Sequence, residues 1–280
     1  MSPMTAEPLF LITLAIGLAL PTLWLFGQPL WADWRRRRTG EQPFPAAWRR
    51  LLRRHVPIVA TLPSELQLQL KRQILVFLAE KPFIGCAGMR ITDRVRVVIA
   101  AQACLLLMNR PAGGFAGLRQ VLVYPGAFMV DRVSADGTGV QQERRRALAG
   151  ESWSQGQVIL SWSDVCEGAA VIDDGRNVVI HEFAHQLDQE SGAANGAPFL
   201  GDRERHSHWS RVLGAEFERL RECVARGEPS LLSAYGATEP AEFFAVASEV
   251  FFEQPRQLAA DAPALYAELS GCYRVDPLNW

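Results

Sequence analysis

The hydrophobic positions along this chain follow three different rhythms, and each predicts a different kind of element. Residues 9–26, LFLITLAIGLALPTLWLF, carry no charge and only two threonines as polar members, and apolar character continues weakly through Trp31. A run of that length crosses a hydrocarbon layer of about 30 Å as one helix. Leu66, Leu70, Ile74, Leu75, Phe77 and Leu78 then recur at helical spacing within residues 63–81, after a shorter helical tract at 47–55. The rhythm shifts at 94–99, a β-branched run coupled to an apolar helix through Met108. QVLVY (120–124) and QVILSW (157–162) read as strands bounded by Gly or Pro. From Asp174 onward the pattern is mostly helical. Strands ahead of a helical C-terminal half predict an α+β class, and no internal repeat is present.

Charge changes the reading of the first run. Arg35, Arg36, Arg37 and Arg38 follow it, Arg49, Arg50, Arg53 and Arg54 come soon after, and residues 1–8 hold no Lys or Arg. A cleaved signal peptide has its basic residues before the apolar stretch, and a soluble helix keeps a polar face. Against those two readings, a single transmembrane anchor over residues 9–31 fits the length and the flanks. The positive side, and with it the following domain, is then expected in the cytoplasm at the inner membrane. The expected organisation is an anchor at 1–32, a basic juxtamembrane linker at 33–46 and one domain at 47–280. The net charge of -1 gives no reason to expect a nucleic-acid partner. Cys86, Cys104, Cys166, Cys223 and Cys272 are scattered with no CxxC pair, which excludes a zinc ribbon and reads as reduced thiols.

The chemistry concentrates at residues 181–188, HEFAHQLD. On a helix, positions i and i+4 share a face, so His181 and His185 can aim at one ion while Glu182, one step round, reaches a water beside it. Asp173 and Asp174 are candidate capping acids, and Phe183, Ala184 and Leu187 mark the buried side. Average composition yields HExxH by accident in roughly one chain of this length in a hundred. Here the apolar neighbours put it on a buried helix, where paired histidines need a partner. The pattern predicts a zinc-dependent peptidase with Glu182 as its base.

A catalytic zinc usually has three protein ligands. Asp188 and Ser191 stand where a metzincin needs Gly and His, so that arrangement is excluded. His206 and His208 are one alternative, although HSHW reads most simply as a surface loop. The leading third ligand is Glu242. Residues 239–252, EPAEFFAVASEVFF, form an apolar helix with Pro240 at its start, and only Glu242 and Glu249 break its interior. A lone acid there is costly unless paired or metal-bound, and Glu249 lies two turns further along the same face, placed to support a ligand from behind.

Together with HEFAHQLD, the segment SAYGATEPAEFFAVASEVFF (233–252) resembles the Mlc-titration-factor-A family of bacterial zinc peptidases. That gluzincin-like group is also similar to the anthrax lethal factor catalytic domain. The likeness continues through QILVFLAEK (73–81), AAQACLLL (100–107), VLVYPGAFMV (121–130) and ESWSQGQVILSW (151–162). It implies a zincin-like domain with the active-site helix packed under a small sheet, one Zn2+ on His181, His185 and Glu242, Glu182 as catalytic glutamate, and Tyr235 approaching the metal. It implies a peptide or protein substrate, with an aminopeptidase-like and regulatory activity, and a protein regulator as a further partner. Lethal factor has an acid four residues after its ligand glutamate, where this chain has Val246. A competing class is a zinc-containing module that binds and sequesters a transcriptional regulator; a structural zinc site has no need of Glu182, which favours the enzyme. The strand at 157–162 is a candidate edge for pairing an extended peptide.

Overall fold

The computed structural model describes residue 24 and residues 27–280, apart from 111–113, 136–140, 149, 154, 155 and 193. Helix α1 (residues 27–40) leads into α2 (Ala46–His55), α3 (Ile58–Thr61) and α4 (Ser64–Glu80). The short strand β1 (Phe83–Gly85) precedes α5 (Asp93–Leu105). The β-branched run at 94–99 belongs to α5 and forms no strand. Thr92 caps that helix by accepting from the Val95 N–H at 3.4 Å, and Val95, Val97, Val98 and Ile99 are all buried. The modest helical penalty of β-branched side chains is outweighed by this burial.

Strands β2 (Gln120–Tyr124), β3 (Phe128–Ala135), β4 (Gln141–Leu148), β5 (Gly150–Trp153) and β6 (Gln157–Ser161) follow. β3 and β4 form an antiparallel hairpin, while the main sheet runs β1-β2-β6-β5. Its first three strands are parallel, with Val121 opposite Val158 and Val123 opposite Leu160, and β5 returns antiparallel to β6. The strand at 157–162 is therefore not an edge. β6 is hydrogen-bonded on both sides, and the edge strand beyond it is β5, whose GESW sequence carries no strand rhythm.

After β6 the chain is helical, through α6 (Trp162–Ala170), α7 (Val178–Asp188), α8 (Arg203–Arg226), α9 (Pro240–Glu253), α10 (Pro255–Asp261) and α11 (Pro263–Tyr273). α7 packs against β5 and β6 on one side and against α5, α6 and α9 on others. Its Phe183 sits in an aromatic cluster, with ring centroids 4.8 Å from Phe115 and 5.7 Å from Phe77. The Lys81 ammonium is buried beneath this cluster and donates to the carbonyls of Phe115 (2.7 Å) and Leu118 (3.0 Å); burial lowers its pKa. On the far side of α9, the Ser248 hydroxyl donates to Phe244 O at 2.7 Å and lies 2.7 Å from the Tyr273 hydroxyl, which ties α11 to the core without leaving either group unpaired.

The basic stretch at 33–46 is helical through residue 40, and Arg36 of α1 holds Glu80 of α4 at 2.7 Å. Most of the anchor expected over residues 9–31 lies outside the described residues. Among the described residues, no helix is long and apolar enough to cross a membrane.

Gly196 fixes the start of α9. Its φ is +79°, and an added Cβ would stand 2.5 Å from Pro240 O. Gly196→Ala is expected to destabilise the fold by more than about 1 kcal/mol, since both the left-handed backbone and the close approach oppose a side chain. Thermal unfolding checks this, and an unchanged midpoint would contradict the tight Gly196–Pro240 approach.

Candidate metal centre

Helix α7 begins where Asn177 accepts the Ile180 N–H at 3.0 Å. The cap is thus Asn177 and not Asp173 or Asp174; Asp174 instead accepts the Arg176 N–H at 2.9 Å in the preceding turn. With its register set by this cap, α7 buries Val179, Ile180, Phe183, Ala184 and Leu187 and turns His181 and His185 towards α9. Pro240 starts α9, which places Glu242 in its first turn, facing those rings.

The three side chains converge. Glu242 Oε2 lies 3.0 Å from His181 Nε2 and 3.4 Å from His185 Nε2, and one ligand atom from each residue falls within 4.8 Å of the other two. Donors bound at 2.0–2.2 Å in a tetrahedral shell stand about 3.3 Å apart, so the set has the right spacing for one small cation. Two imidazole nitrogens and one carboxylate oxygen also leave a fourth position open. Burial opposes protonation of His181, but hydrogen bonds to Glu242 and Glu249 outweigh it and raise its pKa well above the ordinary value. Burial likewise opposes ionisation of Glu242, yet the two histidines hold its pKa well below the usual carboxylate range. These side chains pair with one another as a cation and an anion would, and a bound metal ion would take the place of the shared proton.

Glu249, one face and two turns beyond Glu242, places Oε1 2.8 Å from His181 Nδ1. That contact supplies the support Val246 cannot, and it orients the ring so that Nε2 points at Glu242. The other Glu249 oxygen accepts the Asn177 backbone N–H. Asn177 Nδ2 in turn donates to Glu253 Oε1 at 3.0 Å and Gln102 Oε1 at 2.9 Å, while Glu253 Oε2 accepts the Arg176 N–H at 3.0 Å. Asn177, Gln102 and Glu253 extend the cluster, and the motif HEFAHQLD does not point to them. Only Asn177 left a signal, a good N-cap residue directly before the apolar run VVI.

Glu182 is buried and lines a pocket of about 430 Å³ together with His181, Tyr235 and Glu249. Tyr235 sits in the 3-10 turn Ala234–Ala237, two-fifths exposed, with its ring centroid 5.9 Å from that of His181. His206 and His208 lie on α8 and not in a loop; both are exposed, and His208 Nδ1 is 2.6 Å from Glu268 Oε1. They are not part of the cluster.

This helix pair and this donor set fit a metallopeptidase domain. The family described as glucose-regulated metallo-peptidase M90 matches residues 31–274, and the chain belongs to it. An uncharacterized protein of Synechocystis is 38% identical over 268 residues, covering 95% of this chain and 96% of that protein. Mlc titration factor A of Klebsiella pneumoniae is 35% identical over 226 residues, covering 80% of this chain and 84% of that one. Its counterpart in Escherichia fergusonii is 34% identical over 248 residues, 88% and 91% of the two chains. The family implies a metal ion, and the His181–His185–Glu242 cluster is where one fits.

Burial is the largest cause that pushes the Glu253 carboxyl up to about 8, and the charges of Asp174 and Glu249 add to it against the Asn177 and Arg176 hydrogen bonds. An unfolded glutamate titrates near 4.3, so between about pH 4.5 and 8 the folded chain holds a proton that the unfolded chain does not. Stability from this group is complete below that window and falls as pH rises through it. In metal-free protein, Glu253→Gln should remove a loss on the order of a few kcal/mol between pH 5 and 8. Denaturant titrations at both pH values decide it: parallel pH slopes for the variant and the unsubstituted chain would contradict the assignment.

Proposed function

We propose that this protein is a zinc-dependent peptidase, with His181, His185 and Glu242 as the metal ligands and Glu182 as the general base. The observation that carries the reading is the convergence of Glu242 on the two histidines at 3.0 and 3.4 Å, beside a buried Glu182 that a structural metal site would not need. Zinc suits the donor set, and when bound it would polarise the scissile carbonyl and acidify an attacking water. Glu182 would take the proton from that water and return it to the departing amine. Tyr235, exposed at the pocket rim, would donate its phenol proton in a hydrogen bond to the developing oxyanion. Glu249 would hold His181 in one orientation throughout. A peptide substrate is supported by β5, which pairs with β6 on one side only and lies against α7, so an extended chain can add to its outer edge.

The relatives named Mlc titration factor A favour a second reading, in which the same chain also binds a protein regulator. For its place in the cell we propose the inner membrane, with the domain on the cytoplasmic side. The uncharged run at 9–26, the arginines at 35–38 and the exposed Trp24, Trp31 and Trp34 beside them support it.

Glu182→Gln should keep its metal yet lose peptide hydrolysis by about two to four orders of magnitude. Hydrolysis near the unsubstituted rate would remove Glu182 from the mechanism. Glu242→Ala should purify largely metal-free, Glu249→Ala should bind metal about 10–100-fold more weakly, and His206→Ala with His208→Ala should change nothing. Metal analysis of the four proteins reads this directly, and full occupancy in Glu242→Ala would move the third ligand elsewhere.

A further inference from the structure

Away from the metal centre lies a larger cleft of about 570 Å³, between α1, α4 and the turns that follow α5 and α11. It shares no lining residue with the pocket over His181 and Glu182. Its charge is one-sided: Arg36, Arg37, Arg72, Arg110 and Arg274 face it against the single acid Glu41. Arg36 is committed to Glu80 at 2.7 Å, and Arg110 gives one Nη2 donor to Cys272 O at 2.9 Å. Among the described residues, Arg37, Arg72, Arg110 and Arg274 form no ion pair with a carboxylate. Like charges gathered around one concavity repel each other, and nothing in the apolar packing of the domain requires them there.

A second observation points the same way. Two buried side-chain atoms in the described structure have no hydrogen-bond partner, Arg110 Nε and Gln69 Oε1, and both residues line this cleft. Native proteins rarely leave such groups unpaired, because an unsatisfied buried donor or acceptor destabilises the fold. One is a charged donor suited to a phosphate oxygen, and the other is an acceptor suited to a hydroxyl beside it. Asn109 and Arg274, both lining residues, hold left-handed backbone at φ +58° and +57° and are joined by the Asn109 Nδ2 bond to Arg274 O at 2.8 Å. The cleft wall is fixed by this contact rather than loosely draped.

We propose that this cleft binds a phosphate ester that carries a hydroxyl, the chemistry of a glycerol phosphate, with Arg37, Arg72, Arg110 and Arg274 on the phosphate and Gln69 on the hydroxyl. Two sources present that chemistry, a free sugar- or polyol-phosphate and the headgroup of an anionic phospholipid. The proposal does not depend on the peptidase reading, and metal content and hydrolysis play no part in its test.

The test uses the full chain in a maltoside micelle, titrated calorimetrically with glycerol 3-phosphate, and in parallel the full chain mixed with phosphatidylglycerol or phosphatidylcholine vesicles and floated. The cleft variant is Arg37→Gln with Arg72→Gln, both exposed helix positions without ion pairs; the control is Arg49→Gln with Arg53→Gln on α2, which removes equal charge elsewhere. Binding of glycerol 3-phosphate that weakens about tenfold or more in the cleft variant and holds in the control supports the site with a free ester as ligand. A preference for phosphatidylglycerol lost only in the cleft variant, without binding of the free ester, supports it with the lipid as source. Failure of both probes, or an equal loss in the control, overturns it.

Discussion

The bond between His181 Nδ1 and Glu249 Oε1, 2.8 Å long, ties α7 to α9. Neither side chain can be covered by apolar neighbours alone, because an unpaired buried imidazole or carboxylate costs several kcal/mol. Pairing them settles that cost and sets the rotation of both helices at once. With Glu249 on His181, Glu242 two turns earlier on α9 meets His181 and His185 from the other side. Asn177 extends the same network backwards: it caps α7 and touches both Glu249 and Glu253. Helix register, ring orientation and ligand spacing are therefore one constraint with several expressions. Removal of one partner would strand the others, because the members of the network share their hydrogen bonds.

Residues whose role depends on local spacing were legible from the chain alone. His181, Glu182 and His185 follow from i, i+4 geometry, and Glu242 follows from an acid in an otherwise apolar helix behind Pro240. That Glu242, 57 residues beyond His185, reaches those rings is a property of the fold, and only the packing of α7 on α9 supplies it. The strand reading failed where burial was decided by tertiary neighbours. Residues 94–99 are β-branched yet helical, since α5 is covered on several sides and propensity is the weaker effect there. β5 has no sequence signal because a four-residue edge strand needs no alternation, and without β5 the more regular β6 reads as the edge. His206 and His208 sit on α8 among charges that keep that face in water, so a helix with a mostly polar surface passed for a loop.

Two sites of opposite sign occupy separate parts of the fold. The pocket over α7 gathers Glu182, Glu249, Asp164, Glu167 and Asp174 beside His181, which suits a cation and a polar substrate. The cleft at α1 gathers arginines around two unpaired polar atoms. Arg36 connects α1 to the domain through Glu80, so whatever the segment before α1 touches is mechanically joined to the body that carries the metal centre.

One metal ion is expected between His181, His185 and Glu242, with Glu249 behind His181 and not on the metal. Anomalous diffraction at the zinc absorption edge, from crystals of the metal-loaded protein, addresses it most directly. The expected result is a single peak about 2.0–2.2 Å from His181 Nε2, His185 Nε2 and a Glu242 oxygen, with Glu249 Oε1 still on His181 Nδ1. A peak coordinated by Glu249, or one located at His206 and His208, would contradict it.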